Sequence, residues 1–231
     1  MPALSLTSCA GADSAVSDDN PYFAKIADDL ANRSWSVINA ALPPDMSLGL
    51  LSSIQQHNEA EFTEAGTGRS RDHQINPFVR RDRIRWINGE NLTEQAWLEW
   101  ASSLQHYLNR RLFLGLFSFE SHYAHYGSGD FYKKHVDAFR PNGIERGARR
   151  EVSLVTYLNP AWQPEDGGEL LIYDASGQEV VERVLPRQGT VVVFLSTEVP
   201  HEVLPAKRDR YSIAGWFRLN GSQEDRPDPP S

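Results

Sequence analysis

Apolar side chains recur every three or four residues through the first half of the chain, and near residue 115 the interval shortens toward two. This change predicts a helical half followed by a strand half. Tyr22, Phe23, Ile26 and Leu30 form one stripe behind Asn20 and Pro21, the favoured order of an N-cap and a first-turn proline. Met46, Leu50, Leu51 and Ile54 form a second stripe behind Pro44 and Asp45, and Trp97, Trp100, Leu104 and Leu108 a third behind Thr93. Three helices, each with one face to bury, are expected to form a supporting layer.

Beyond this point short β-branched and aromatic runs predict eight strands: 117–126, 130–137, 151–158, 168–174, 178–185, 189–195, 200–205 and 210–219. Turn-forming stretches such as GSGD, NPAWQPEDGG, DASGQ, PRQG and PAKRD separate them. Helices followed by strands make the chain α+β, mainly β, and eight strands at this spacing imply a sandwich or barrel. Residues 1–20 and 221–231 offer little to bury and are expected to be disordered tails. That leaves 21–115 as helical support and 116–220 as the strand core.

Composition narrows the possible functions. Against 23 Lys and Arg stand 31 Asp and Glu, a net charge of −8. Phosphate contacts need a surplus of cations, so nucleic acid is not an expected partner. Cys9 is the only cysteine and can form no disulfide within the chain, which suits a reducing cytoplasm. No apolar run approaches the roughly 20 residues of a membrane span, and the N-terminus lacks the pattern of a signal peptide. A cytoplasmic protein without a membrane partner is expected.

Two residues then stand out. His135 and Asp137 sit two apart in a predicted strand, so both leave the same face, one offering nitrogen and the other oxygen. His201, opening another strand, can complete the set. Two histidines and a carboxylate on one face of an octahedron leave three positions open, as in non-haem Fe(II) oxygenases. Across the PAKRD turn, Arg210 shares a strand face with Ser212, Ala214 and Trp216. An arginine pointing into a barrel calls for an anion, either an internal Asp or Glu or a ligand carboxylate. A co-substrate that chelates iron at one end and carries a carboxylate at the other would satisfy both sites, and 2-oxoglutarate has that form.

The surrounding motifs are Tyr126, GSGDFYKKHVD, RREVSLVTYLN, GGELLIYD, PHEVLPA and RYSIAGWF, with RRDRIRWING upstream. Through them residues 118–217 resemble the Fe(II)/2-oxoglutarate-dependent prolyl hydroxylases, and among these the hypoxia-inducible factor type and its bacterial relatives. The resemblance implies a double-stranded β-helix, a jelly-roll barrel of eight antiparallel strands backed by N-terminal helices. It implies that His135, Asp137 and His201 bind iron and that Arg210 anchors the distal carboxylate of 2-oxoglutarate. Tyr157 would support that carboxylate, while Tyr126 and Ser212 would line the co-substrate pocket. Arg150, Arg80 and Asp82 would contact the substrate, Trp216 would form an aromatic wall near the peptide, and residues 66–85 would be a finger loop closing over it. The implied activity is protein prolyl 4-hydroxylation with Fe(II), 2-oxoglutarate, O₂ and ascorbate, in a family that includes oxygen sensors. Bacterial members point to elongation factor Tu as the substrate.

Other readings compete. Nucleic-acid demethylation by the same cofactors would place a second arginine where Trp216 stands. A small-molecule oxygenase, a non-catalytic 2-oxoglutarate sensor and a peptide-binding barrel also remain open. Elsewhere Trp86, Trp97, Trp100 and Trp162 read as packing residues. His122 and His125, three apart in a strand, face opposite sides and make poor joint ligands, while His57, His73 and His106 read as solvated. Arg69, Arg71, Arg80, Arg81, Arg83 and Arg85 form a basic run suited to an acidic protein partner.

Overall fold

The computed structural model describes residues 21–66, 76–138 and 149–220. Both expected tails lie outside the described residues, as do Arg69, Arg71 and His73 of the expected finger loop. The three helices are α1 (Pro21–Arg33), α2 (Pro44–Gln56) and α3 (Leu92–Leu112). Asn91 caps α3, its side chain accepting from the Glu94 amide at 2.9 Å. The helix therefore starts slightly ahead of the Thr93 expected from the apolar stripe.

Among the described residues eleven strands are formed: β1 (Trp35–Ile38), β2 (Thr63–Glu64), β3 (Arg83–Trp86), β4 (Leu116–Tyr126), β5 (Tyr132–His135), β6 (Arg150–Tyr157), β7 (Leu170–Tyr173), β8 (Val180–Val184), β9 (Val191–Leu195), β10 (His201–Val203) and β11 (Arg210–Leu219). The last eight are the predicted ones. The first three were hidden. β1 and β3 have only four residues each, too few to establish an alternation, and the arginines of β3 read as part of a charge run. They extend the sheet instead of joining the helical layer.

A larger sheet has the order β1-β9-β6-β11-β4-β3-β2, and a smaller one β5-β10-β7-β8. Within the core the pairing is nested and antiparallel, the first core strand β4 against the last, β11, and the second, β5, against the seventh, β10. This is the double-stranded β-helix arrangement, with two sheets face to face. Strand alternation builds both sides of the larger sheet. Val152, Leu154, Val191, Val193, Ile213 and Phe217 pack outward on the helical stripes, with Trp97, Leu104 and Leu108 fully buried among them. Their neighbours Tyr157, Val192 and Phe194 point the other way, onto Leu170, Ile172 and Val203 of the smaller sheet. Each such buried side chain stabilises the fold by about 1.5–3 kcal/mol. The helices hold the larger sheet rigid while its inner face is free to carry polar groups.

Candidate active site

The register between β5 and β10 sets His201 directly opposite His135. Their rings lie 4.2 Å apart. Asp137 arrives differently from the strand argument, since β5 ends at His135 and Asp137 lies in the bend beyond it. Its Oδ1 is nevertheless 3.4 Å from His135 Nε2 and 3.6 Å from His201 Nε2. The ligand atoms of all three residues fall within 4.8 Å of one another.

Backbone carbonyls fix the imidazole tautomers. His135 Nδ1 is 2.7 Å from the Lys133 carbonyl, and His201 Nδ1 is 3.0 Å from that of Val199. A carbonyl can only accept, so each Nδ1 carries a proton, and each Nε2 faces Asp137. Burial pushes His201 down to about 4, helped by His135 and opposed by Asp137, so its lone pair is free at neutral pH. Burial alone would push the Asp137 carboxyl up, but His201, His135 and the Ser153 hydrogen bond hold it below the usual range. Three ligand atoms thus converge, and two imidazoles with one carboxylate suit Fe(II).

The other oxygen of Asp137 is engaged elsewhere. Oδ2 accepts from Ser153 Oγ at 2.6 Å and from Trp216 Nε1 at 3.0 Å. Sequence reading overlooked Ser153, although it shares the inward parity of Val155 and Tyr157 on β6. Trp216, expected as a wall for peptide, is a donor to the metal-ligand carboxylate.

Arg210 opens β11, with Trp216 roughly 20 Å further along the strand at 3.3 Å per residue. Arg210 is only 2% exposed. Its guanidinium donates to the Gly168 carbonyl at 3.0 Å and to Ser212 Oγ at 3.4 Å, and lies 4.8 and 5.0 Å from the rings of Tyr126 and Tyr157. No carboxylate among the described residues pairs with it, which favours a ligand carboxylate over an internal Asp or Glu. The Tyr157 hydroxyl beside it is buried without a well-formed hydrogen bond, and burial pushes it up to about 12 against the pull of Arg210. A buried cation and a buried O–H donor, both lacking an anion, line the same cavity of about 800 Å³ as the triad. A carboxylate ligand satisfies both.

The expected substrate residues divide. Arg80 lines the cavity, pairs with Asp82 at 2.8 Å and lies over the Tyr132 ring. Asp82 is buried beneath Arg80, which it pairs with. Arg150 lines the cavity with its guanidinium 3.5 Å above Trp216 and 2.9 Å from Glu120. Within the basic run Arg80 pairs with Asp82, and Arg85 reaches Glu61, Glu90 and Glu94.

His122 and His125 do face opposite sides. His122 lines the cavity between Trp86 and Trp216, each 5.3 Å away, whereas His125 stacks on Tyr211. Trp86, expected as packing, is 43% exposed because β3 lies near the open end of the sheet. His57, expected to be solvated, is largely covered. Its Nδ1 is 3.0 Å from Glu61 as the 3₁₀ turn Glu59–Glu61 folds back over it.

Comparison with known proteins supports the geometry. The model of the 2OG-Fe(II) oxygenase superfamily matches residues 121–218. A Pseudomonas putida prolyl-4-hydroxylase structure is 42% identical, with a TM-score of 0.76 over 86% of this chain and 100% of that one. A Trichoplax adhaerens prolyl hydroxylase, solved with a hypoxia inducible factor oxygen degradation domain peptide fragment, is 28% identical, with a TM-score of 0.70 over 86% of this chain and 89% of that one. Egl nine homolog 1 of Homo sapiens is 29% identical over 170 residues, 70% of this chain and 38% of that protein. The chain spans well under half the length of the curated relatives it matches first.

Proposed function

Because the chain belongs to the 2OG-Fe(II) oxygenase superfamily, we propose that it hydroxylates a prolyl residue in a protein substrate, using Fe(II), 2-oxoglutarate and O₂. One observation carries the chemistry: a buried arginine without a carboxylate partner among the described residues, beside a buried hydroxyl without an acceptor among them, in the cavity that also holds the His135, Asp137 and His201 donors. His135, Asp137 and His201 would hold the iron, and Arg210, with Tyr157, Tyr126 and Ser212 around it, the far carboxylate of 2-oxoglutarate. When bound, the iron and 2-oxoglutarate supply oxidation of a C–H bond by O₂, with succinate and CO₂ as co-products.

The remaining roles belong to the chain. Buried tyrosines and the smaller sheet exclude water around Arg210, which strengthens its grip on an anion. At the open end, Arg150 and Arg80 are presented in fixed positions by Glu120 and Asp82, ready to orient a peptide segment. The likeness to a prolyl-4-hydroxylase over that whole chain, and to a hydroxylase bound to a peptide, supports a proline in a protein as the target. The resemblance to bacterial members makes elongation factor Tu the first substrate to test. Incubation with Fe(II), 2-oxoglutarate, ascorbate and elongation factor Tu should give succinate and a one-oxygen mass gain on one proline. Succinate without any modified proline would remove that substrate and leave the oxygenase reading in place.

A further inference from the structure

We infer that Trp216 and Ser153 are positioning residues for Asp137, holding its outer oxygen so that one oxygen alone faces the two imidazoles. The inference rests on the reading of the triad as an iron site. Asp137 lies beyond the end of β5, where no ladder hydrogen bond fixes its backbone, so something else must aim its side chain. Two donors do so: Ser153 Oγ at 2.6 Å and Trp216 Nε1 at 3.0 Å, both on Oδ2.

Ser153 is itself held. Its single proton goes to the carboxylate, so the 2.8 Å contact with Ser196 Oγ is donated by Ser196. The Ser196 carbonyl accepts from the Ala138 amide at 3.1 Å, and its amide donates to the Glu151 carbonyl at 3.0 Å. Asp137, Ala138, Ser196 and Ser153 form a closed ring of covalent and hydrogen bonds around the ligand. Trp216 is fixed from other directions, by the Arg150 guanidinium over its face and by His122 at 5.3 Å. Trp216 is 6% exposed, so these contacts hold it on most sides.

A carboxylate with both oxygens free can swing or bind a cation through both. Tethering Oδ2 presents Oδ1 alone and keeps the remaining metal positions available to co-substrate. Partners of this kind typically tune metal affinity by roughly 10- to 100-fold.

The test is calorimetric titration of the metal-free full chain with Ni(II) alone, in the absence of 2-oxoglutarate and peptide, for Trp216→Phe and Ser153→Ala. Each variant should bind Ni(II) roughly 10- to 100-fold more weakly than the unaltered chain. Because Phe keeps an aromatic ring under Arg150, peptide KM should move far less than metal affinity. Unaltered Ni(II) affinity in both variants would overturn the inference, as would a raised peptide KM in Trp216→Phe with metal affinity intact. Should Trp216→Phe fail to fold, Ser153→Ala decides alone. Failure of the unaltered chain to bind Ni(II) would instead overturn the iron-site reading on which the inference stands.

Discussion

At the scale of single residues, the site is recognised by groups whose chemistry is incomplete within the chain. The Tyr157 hydroxyl is the clearest case, because it is buried without a well-formed hydrogen bond among the described residues. Tyr157→Phe should therefore leave urea-unfolding stability within about 1 kcal/mol of the original. It should nevertheless raise the 2-oxoglutarate KM by about tenfold or more, since a hydrogen bond to a charged group contributes about 1.5–3 kcal/mol. A large stability loss with unchanged KM would mark the tyrosine as an ordinary core residue. His135, Asp137, His201 and Arg210 were legible in the sequence because metal ligation and buried charge restrict residue type. Ser153 and Ser196 were not, since a serine in a strand has many ordinary uses and only the fold shows which carboxylate it meets.

At the scale of elements, the loop before β7 contributes more than a connection. Gly168 has φ of +70°, a backbone region that side chains enter at a cost of about 1–2 kcal/mol. A Cβ there would lie 2.9 Å from that of Ala206 and 3.2 Å from Arg210 Cδ, and the Gly168 carbonyl holds the Arg210 guanidinium. Gly168→Ala should destabilise the fold by at least about 1 kcal/mol in urea titration and weaken 2-oxoglutarate binding by displacing Arg210. Native 2-oxoglutarate affinity in that variant would argue against the coupling. The eight core strands were readable because burial on one face imposes a period of two, and β11 occupies the predicted residues. The N-terminal strands escaped because WSVI and RIRW are too short for a period and take their order from the strands beside them, as in the pairing of Trp35 with Phe194.

At the scale of the whole molecule, ligand binding and folding are linked, since a site built from distant segments exists only in the folded chain. Adding Ni(II) at 100 times its dissociation constant should stabilise it by about 2.7 kcal/mol, or roughly 5 to 11 °C in Tm. His135→Ala should lose that shift, and chelator should reverse it in the unaltered chain. The run of arginines, read alone, suggested a basic finger offered to an acidic partner, yet Arg80 and Arg85 are paired inside the protein. The acids that neutralise Arg85 lie on other elements, out of reach of sequence spacing. The nested strand pairing has a further consequence, in time. β4 waits for β11, and β5, carrying one ligand, waits for β10, carrying another. During synthesis from the N-terminus, a chain halted before His201 has its first two metal ligands and neither the third nor the arginine. Such non-local pairing also folds slowly, over milliseconds to seconds. Iron capture therefore cannot precede the synthesis of His201 and its pairing with His135 across β5 and β10.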